Sequence, residues 1–429
     1  MERKNVFVPG LDDRNREILE RTPTGRGCDF HPLSTLDDLR SPDLDIDETV
    51  AEAERAMDGF GGTVDAVAGY WDFPVTLLVP ILAASRGLPS PTLESVVRCE
   101  HKYWSRLLQS EVVDEYPAFA VVDLNDPVPP AEPGYPFWLK PVKSASSELA
   151  FRVEDEAGFH AAIAELREGV GRIGRPFGQI LDRIDLPPEI AEAGGTSCLA
   201  EAALRGVQAA VEGYVHQGEC VVYATLDSVD FPGSPAFLRH QYPSSLPEGV
   251  RSRMASVASR VIGKLGLDDS TFSVEFFYDP VGDDVRVLEV NPRHSQAHAS
   301  LFELVDGVAN HERMLRLALG REPVLPEGIR GEYAVAAEWY LRRFSDGVAT
   351  RVPGPEEIGR LEKELSGVDI HIVPQEGRRL SELQAQDSYS FELAKIVIGG
   401  ADETEMRAKY ERCAEELVFG FEDGADDDR

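Results

Sequence analysis

The chain has 429 residues, of which 42% are hydrophobic, so it can bury a large core and divide into roughly two to four domains. Its formal net charge of −33 excludes nucleic acid and anionic membranes as expected partners, because their phosphates would be repelled. No apolar run approaches the roughly 20 residues of a membrane span. The five cysteines are scattered, so no disulfide framework is expected. We expect a soluble cytoplasmic protein.

The first predicted part covers residues 1–95 and alternates strands with helices. Residues 6–9 predict a strand followed by a polar helix, and residues 64–70 predict a strand followed by an apolar helix that ends near Gly87. This alternation is typical of a small parallel sheet with helices on both faces. The turn at Gly10 lacks the pattern G-x-G-x-x-G, so no dinucleotide site is predicted there.

A β-hairpin is predicted in the middle of the chain. Residues 272–278 and 287–293 alternate apolar and polar side chains, and the stretch between them has turn chemistry. A side-chain period of two places Glu289, Asn291 and Arg293 on one face of the second strand.

These side chains predict a metal site if Glu275 faces the same way on the partner strand. Two carboxylates, Glu275 and Glu289, then converge with the amide oxygen of Asn291, a set that suits Mg²⁺ or Mn²⁺, and Arg293 adds a cation beside it. The alternative is a solvated acidic face, since the chain holds 76 acidic residues. The apolar neighbours of both glutamates indicate strands packed on a core, and this favours the metal site.

A further unit is predicted from about residue 329 to 420. Residues 333–340 and 368–373 have the composition of strands, and a helix is predicted from Glu403 to Leu417. The last residues, 421–429, form an acidic tail that we expect to be solvated and disordered.

The hairpin, whose second strand reads Glu-Val-Asn-Pro-Arg from Glu289 to Arg293, resembles the ATP-grasp superfamily of ligases. The chain looks most like the carboxylate-amine ligase branch, which includes the L-amino-acid ligases. This resemblance implies an α/β (α+β) fold with a small parallel N-terminal domain, a central two-lobed ATP-grasp domain over residues 96–328 and a closing C-terminal α+β domain over residues 329–420. A mobile lid is implied over residues 140–200.

Lysine positions extend the resemblance. The chain has only eight lysines (Lys4, Lys102, Lys140, Lys143, Lys264, Lys363, Lys395 and Lys409). Lys102 falls at the start of a helix and Lys140 at the end of a strand, where the family uses lysines on phosphate oxygens. Ser144, Ser146 and Ser147 follow at the place of the family's phosphate loop, although the family's glycines are missing and an ordinary turn is the alternative.

The resemblance also implies an adenine site. Glu201, in the predicted strand and hinge of residues 198–204, matches the acidic hinge position of the family. Gln208 stands on the next strand where the family has an acid, so its contact with ribose or metal is open. Glu212 lies on the same strand face and points either into the cleft or out at an exposed edge.

Histidines follow Arg293 where many amine-ligating members have a glycine. His294 or His298 is a candidate to accept the proton of an attacking ammonium group, since histidine titrates near neutral pH. The alternative is that both hydrogen-bond the following helix. A zinc pair is not predicted, because no cysteine or third histidine stands at ligand spacing nearby. His240 is a third candidate on the substrate side.

The implied reaction forms an amide or peptide bond. A substrate carboxylate attacks the γ-phosphate of ATP, and a small-molecule amine, such as an amino acid, then displaces phosphate from the acyl phosphate. One alternative is a carboxylase of the biotin-carboxylase type that uses bicarbonate, although the chain has no Met-Lys biotinyl site. Another is a nucleotide-binding pseudo-enzyme, which Gln208 favours and the complete hairpin set opposes. A homodimer is implied by the resemblance.

Overall fold

The computed structural model describes residues 3–144, 148–383 and 390–422. The chain divides into two compact units, which are described separately below. The first unit contains Met1–Ala224, Leu246–Gln296 and Asn310–Leu325, and the second contains Thr225–Ser245, Ala297–Ala309 and Pro326–Arg429. Within the described ranges, every helix is too short or too polar to cross a membrane. The predicted domain borders at residues 95 and 328 stay predictions.

The described strands alternate with helices in the first third of the chain and dominate the rest. In chain order the strands are Lys4–Pro9 (β1), Cys28–Leu33 (β2), Ala66–Val67 (β3), Phe119–Val122 (β4), Phe137–Pro141 (β5), Phe151–Val153 (β6), Cys198–Ala202 (β7), Val207–His216 (β8), Glu219–Asp230 (β9), Phe237–Tyr242 (β10), Ser270–Asp279 (β11), Asp284–Asn291 (β12), Val335–Arg343 (β13), Val348–Arg351 (β14), Val368–Ile372 (β15), Phe391–Gly400 (β16) and Gly420–Glu422 (β17).

The α-helices are mostly short. In chain order they are Asp13–Arg21 (α1), Leu36–Leu39 (α2), Ile46–Asp58 (α3), Val75–Ala84 (α4), Leu93–Glu100 (α5), Lys102–Ser110 (α6), Glu156–Gly169 (α7), Gly171–Leu181 (α8), Pro188–Ala193 (α9), Glu248–Leu265 (α10), Ala299–Asp306 (α11), His311–Ala318 (α12), Pro355–Glu364 (α13) and Glu403–Glu416 (α14).

The first unit opens with a parallel sheet in the order β2-β1-β3. Val6, Phe7 and Val8 of its central strand are all buried, so both faces of the strand are covered, as expected in a parallel sheet. This confirms the predicted parallel α/β start. The strand predicted over residues 64–70 is shorter than expected, since the chain leaves the sheet after Val67 and Trp71 donates a hydrogen bond to the carbonyl of Gly10.

An antiparallel sheet in the order β4-β7-β5-β6 follows in the same unit. Its core combines strand residues such as Phe137 and Leu139 with Phe159 and Leu166 of α7. Lys140 is the next-to-last residue of β5 and lies opposite Leu199, while Trp138 lies opposite Glu201. The sheet therefore places the strand end with Lys140 beside the predicted hinge strand with Glu201.

The predicted hairpin is confirmed as β11 and β12, and β8 pairs with the other edge of β11. Glu275 lies directly opposite Glu289, and Ser273 lies opposite Asn291. A bulge follows Glu275, where the register shifts before Phe276. The other face of β11 packs Phe272, Val274 and Phe276 into a core with α10. The pattern of alternating burial thus turns both glutamates away from this core.

The second unit is built on an antiparallel sheet in which β10 pairs with the end of β9 and with β13, and β16 pairs with β13 and β15. Its core includes Trp339, Ile396, Ile398 and Met406 of α14. The strands and the helix predicted after residue 329 are thereby confirmed. Strands β14 and β17 form a separate pair.

Gly206, in the turn between β7 and β8, requires the absence of a side chain. Its φ is +106°, and a Cβ added there would lie 2.0 Å from the carbonyl oxygen of Tyr278. We predict that Gly206→Ala lowers the free energy of unfolding by about 2 kcal/mol or more, because both the dihedral angle and the backbone contact become strained. Urea unfolding measures this change.

The matched control is Gly263→Ala inside helix α10, where an added Cβ meets nothing within 4 Å. There alanine should be neutral or stabilise by up to about 1 kcal/mol, since it is the better helix former. Equal effects at the two glycines would contradict the assignment of strain to Gly206.

Candidate active site

Lys102 is positioned by the start of helix α6. The side chain of His101 caps this helix by accepting a hydrogen bond from the backbone of Trp104, and burial lowers the pKa of His101 to about 4, which keeps its ring neutral. The ammonium group of Lys102 forms an ion pair with Glu289 and donates to the carbonyl of Ser144 at 3.1 Å. Lys102 is only 8% exposed. The structure therefore joins the first predicted lysine to the predicted metal face.

Lys140 belongs to a second buried cluster. The carboxylate of Glu201 lies 2.5 Å from the ammonium of Lys140 and 2.5 Å from the guanidinium of Arg106. Burial by itself raises the pKa of Glu201, but the two cations outweigh it and lower the pKa to about 2. Sequence reasoning missed Arg106, although it lies four residues after Lys102 on the same face of α6.

Little free space remains among these charged groups. A gap of about 10 Å³ is lined by Lys102, Arg106, Lys140, Glu201 and Glu289. A larger cavity of about 370 Å³ lies beside the turn after β7, and Ala203, Leu204, Phe277 and Arg286 contribute to its wall. The predicted hinge therefore adjoins room for a planar group, while the charged groups contact one another directly.

Oxygen and amide groups meet on the face of β11 and β12 that carries Glu275. The side-chain nitrogen of Asn291 donates to one carboxylate oxygen of Glu275 at 3.2 Å, and that of Gln208 donates to the other at 2.9 Å. Burial raises the pKa of Glu289, but Lys102 and Lys140 lower it below its usual value overall, so it stays ionised. Two carboxylates and an amide are the hard oxygen donors that Mg²⁺ prefers.

These side chains fit a metal ion because they are oxygen donors, although they do not surround a site completely. Within residues 3–144, 148–383 and 390–422, no group of three or more His, Cys, Asp and Glu side chains is arranged to hold a metal ion. A site of this kind suits a metal that also takes ligands from a substrate, as Mg²⁺ does with phosphates.

A buried chain of alternating charges surrounds Arg293, and sequence reasoning missed its two carboxylates. Arg293 donates to Asp72 at 3.1 Å, Asp72 lies 3.4 Å from Lys143, and Lys143 lies 2.9 Å from Glu100. Burial raises the pKa of Asp72, but Lys143 and Arg293 lower it far below its usual value overall. Burial raises the pKa of Glu100. Asp72 follows the parallel strand β3 at its carboxyl end, a place where α/β proteins often bind ligands, and this signal was available in the sequence.

His294 is fully buried beside the segment that carries Arg293. Its Nδ1 lies 3.1 Å from the hydroxyl of Thr271, and its Nε2 lies 3.3 Å from His311, whose pKa burial lowers to about 4. His298 belongs to the second unit, where its ring lies 5.3 Å from that of His240. The structure thus places the two candidate bases in different units.

Glu212 is also fully buried, so of its two alternatives the exposed edge is wrong. Its carboxylate accepts hydrogen bonds from the hydroxyl of Tyr223 at 2.8 Å, from Asn310 at 3.1 Å and from the backbone N–H of Ser295 at 3.2 Å. These bonds hold the chain just after Arg293.

Ser144 lies beside Lys102, whereas Ser146 and Ser147 lie outside the described residues.

The comparisons with known proteins agree with this architecture. Residues 133–300 match the ATP-grasp domain family. The fold is similar to an L-amino acid ligase from Bacillus licheniformis, with a TM-score of 0.76 and 17% identity over 99% of this chain and 100% of that one. It is also similar to a biotin carboxylase from Campylobacter jejuni, with a TM-score of 0.66 and 17% identity over 98% and 92% of the two chains.

A third solved structure of the same fold is a phosphoribosylglycinamide synthetase from Anaerococcus prevotii, with a TM-score of 0.63 and 11% identity over 98% of this chain and 100% of that one. No curated protein sequence matches the chain. Residues 133–300 therefore match an ATP-grasp domain, and the chain as a whole shares its fold with these enzymes. The three solved structures are an amino acid ligase, a carboxylase and a synthetase, and their likeness to this chain is one of fold.

The buried cluster around Glu201 yields a stability prediction. Glu201→Gln should lower the free energy of unfolding by roughly 3 kcal/mol at pH 7, because Arg106 and Lys140 lose the carboxylate that compensates their burial. The pKa of Glu201 is depressed in the folded state, so its contribution is complete above about pH 4.3 and is lost as the pH falls toward about 2. Denaturant titrations at several pH values measure the difference from wild type.

The control is Glu111→Gln, which removes an exposed ion pair of the same 2.5 Å length with Lys264. This change should cost less than about 1 kcal/mol at pH 7. A Glu201 effect as small as the Glu111 effect, or one that grows in acid, would contradict the account of this cluster.

Proposed function

We propose that the protein is an ATP-dependent carboxylate-amine ligase that forms an amide or peptide bond through an acyl phosphate. The observation that carries the proposal is the meeting of Lys102 with Glu289, opposite Glu275, inside a domain that matches the ATP-grasp family. Phosphoryl transfer is catalysed mainly by positioning and by stabilising charge, and buried cations beside two carboxylates supply both. ADP and phosphate are the expected products from ATP.

In this proposal the nucleotide lies between the Lys102–Glu289 ion pair and the cluster around Glu201. The cavity beside Ala203 and Leu204 receives adenine, and the ammonium groups of Lys102 and Lys140 bind phosphate oxygens. Since these ammonium groups contact carboxylates in the structure, the nucleotide must replace the carboxylates as their partners. Replacing a carboxylate by a phosphate costs less free energy than leaving a buried lysine without a partner, because each ammonium group keeps a counter-charge throughout. Movement of residues 140–200 as a lid stays a prediction.

Glu275, Glu289 and Asn291 would hold Mg²⁺ or Mn²⁺. When bound, the ion would neutralise charge that develops on the phosphates. Gln208 donates to Glu275 and so orients one of these carboxylates. Its place as an amide, where related enzymes carry an acid, fits a residue that positions a ligand instead of binding the metal itself.

Arg293 is the proposed contact for the substrate carboxylate. One oxygen of that carboxylate attacks the γ-phosphorus of ATP, the bond to the ADP oxygen breaks, and the guanidinium stabilises the acyl phosphate. The amine nitrogen then attacks the acyl carbon, phosphate leaves, and the amine loses a proton. Asp72 holds Arg293 from the other side and keeps its guanidinium in place.

Both ring nitrogens of His294 have partners, which supports a positioning role for this residue. His298 stays our candidate to accept the proton of the amine. The proposed partners are small carboxylates and amines, and a homodimer and a cytoplasmic location stay predictions. A second candidate is favoured by the likeness to a biotin carboxylase, namely formation of carboxyphosphate from bicarbonate.

The test is to incubate the protein with Mg²⁺ and ATP in pools of carboxylates and amines, with and without bicarbonate, while phosphate release and product masses are recorded. The proposal expects carboxylate-dependent ADP and phosphate together with a new amide mass. Phosphate release that depends on bicarbonate alone would favour the carboxylase. Nucleotide binding without turnover in any pool would show a pseudo-enzyme and overturn the proposal.

We predict that Glu289→Gln lowers turnover by about 100-fold or more, because the neutral amide no longer holds a metal ion beside the phosphates. Initial rates of phosphate release at saturating ATP measure the loss, and thermal unfolding checks that the variant is folded. The control is Glu17→Gln on the exposed side of α1, which should keep the wild-type rate. Undiminished turnover of the Glu289 variant would remove this residue from the metal site.

A further inference from the structure

Arg313, on helix α12 of the first unit, is a buried cation without a counter-charge. The residue is 8% exposed, and its Nη1 has no hydrogen-bond partner. No carboxylate in the described part of the chain forms an ion pair with it. Buried charges in proteins are normally paired, because removing an ion from water without a partner is costly. This guanidinium therefore lacks the anion that its burial requires.

A buried and a partly buried arginine of the same unit show the usual arrangement. Arg106 is 3% exposed and its guanidinium lies 2.5 Å from Glu201, and Arg293 donates to Asp72. Arg313 differs from both in its surroundings, since its nearest described aromatic neighbour, Tyr223, offers a ring face and no charge. The contrast indicates that the anion for Arg313 comes from outside the chain.

Tyr223 fixes the orientation of this guanidinium. The carbon at the centre of the guanidinium lies 3.8 Å from the centroid of the Tyr223 ring, and Tyr214 stacks beside that ring at 6.4 Å. The hydroxyl of Tyr223 donates to the buried carboxylate of Glu212 at 2.8 Å. A cation held against an aromatic face keeps its N–H groups free at the edge of the guanidinium plane.

This arrangement lies on the sheet face that carries the proposed reaction centre. Glu212 is opposite Ser273, and Ser273 is opposite Asn291, so one row of side chains runs across β8, β11 and β12. Tyr223 extends that row through its hydrogen bond to Glu212. Glu212 also accepts the backbone N–H of Ser295, two residues after Arg293. Arg313 is therefore connected to the reaction centre through one carboxylate and one aromatic ring.

We propose that Arg313 binds a carboxylate group of the amine substrate, so that the preferred amine is one that also carries an acidic group. This inference rests on the proposed ligase function. Arginine suits the role because its planar fork donates two parallel hydrogen bonds to a carboxylate. Tyr223 sets the plane of the fork, and Glu212 is a positioning residue that holds the ring and the chain after Arg293 together.

The geometry assigns this anion to the amine and not to the carboxylate donor. The reacting carboxylate of the donor must reach the proposed metal face and Arg293. One carboxylate oxygen of Glu212 accepts a hydrogen bond from the backbone of Ser295 and the other accepts one from Tyr223, so Glu212 separates the chain after Arg293 from the ring that holds Arg313. We therefore assign a group bound by Arg313 to the second substrate, the amine.

The test compares each amino acid with its C-terminal amide as the amine substrate, in the wild type and in Arg313→Met. We expect the wild type to prefer the free acid, and we expect the ratio of kcat/KM for acid over amide to fall by about 30-fold or more in Arg313→Met, as for loss of a charged hydrogen-bonding partner. Arg313→Lys should recover part of the preference. The control is Arg321→Met, an exposed arginine three residues past the end of helix α12 at Ala318, and it should keep the full ratio.

Hydroxylamine as the amine separates the two substrates, because it carries no carboxylate. If Arg313→Met raises the KM of the carboxylate donor above the wild-type value in this assay, the bound anion belongs to the donor and the proposal is overturned. An equal loss for acid and amide would show a structural role, and an unchanged ratio would show that Arg313 binds no substrate carboxylate.

A binding measurement keeps the inference separate from the ligase proposal. Thermal unfolding is recorded with pools of amino acids and with the matching pools of amides, without ATP. The inference expects stabilisation by acids that exceeds stabilisation by amides in the wild type and not in Arg313→Met. If no pool gives turnover but this difference is seen, the ligase function fails while the anion site stands. If the difference is absent, the anion site fails.

Discussion

The rest of the proposed site depends on the ion pair between Lys102 and Glu289. It joins the first turn of α6 to the strand that leads to Asn291 and Arg293, across 187 positions of the chain. Lys102 is buried and Glu289 is partly buried, so the ammonium group in particular would be costly to bury without its partner. The pair also keeps Glu289 ionised, because the cation lowers the pKa that burial alone would raise. In the proposed mechanism this carboxylate exchanges the lysine for a metal ion when nucleotide enters.

The other cations of the site are also paired with carboxylates, so positive and negative groups alternate through it. Glu201 compensates Lys140 and Arg106, and Asp72 compensates Lys143 and Arg293. In a chain of net charge −33 with eight lysines, three of these lysines lie within this one site. The distribution provides cations where phosphate is expected while the protein as a whole stays acidic. Arg313 is the exception to the alternation, and this exception is what points to a charged group on the substrate.

Local patterns in the sequence were sufficient for the parts of the site that lie within one or two neighbouring elements. Strand periodicity and the turn residues between the strands predicted the hairpin, while the position of Glu275 was left as a condition that the observed register meets. The start of α6 at Lys102 and the place of Lys140 near the end of β5 follow from similar short signals. The parallel start of the chain follows from its alternation of strands and helices.

Contacts between distant segments could not be predicted in this way. Asp72 meets Arg293 across 221 positions, and Arg106 meets Glu201 across 95, so no spacing rule connects them. The interpretation of His294 as a base relied on the usual pKa of histidine, whereas its complete burial against Thr271 depends on tertiary packing. Gln208 and Glu212 needed the register of β8 against β11 before their partners could be known.

The central claim is that a carboxylate oxygen is transferred to the γ-phosphate of ATP. It is tested most directly by turnover with substrates whose carboxylates carry oxygen-18, followed by mass spectrometry of the released nucleotide and phosphate. The account predicts one labelled oxygen in inorganic phosphate for each amide formed, and unlabelled ADP. Label in AMP, or amide formation with unlabelled phosphate, would contradict an acyl-phosphate ligase.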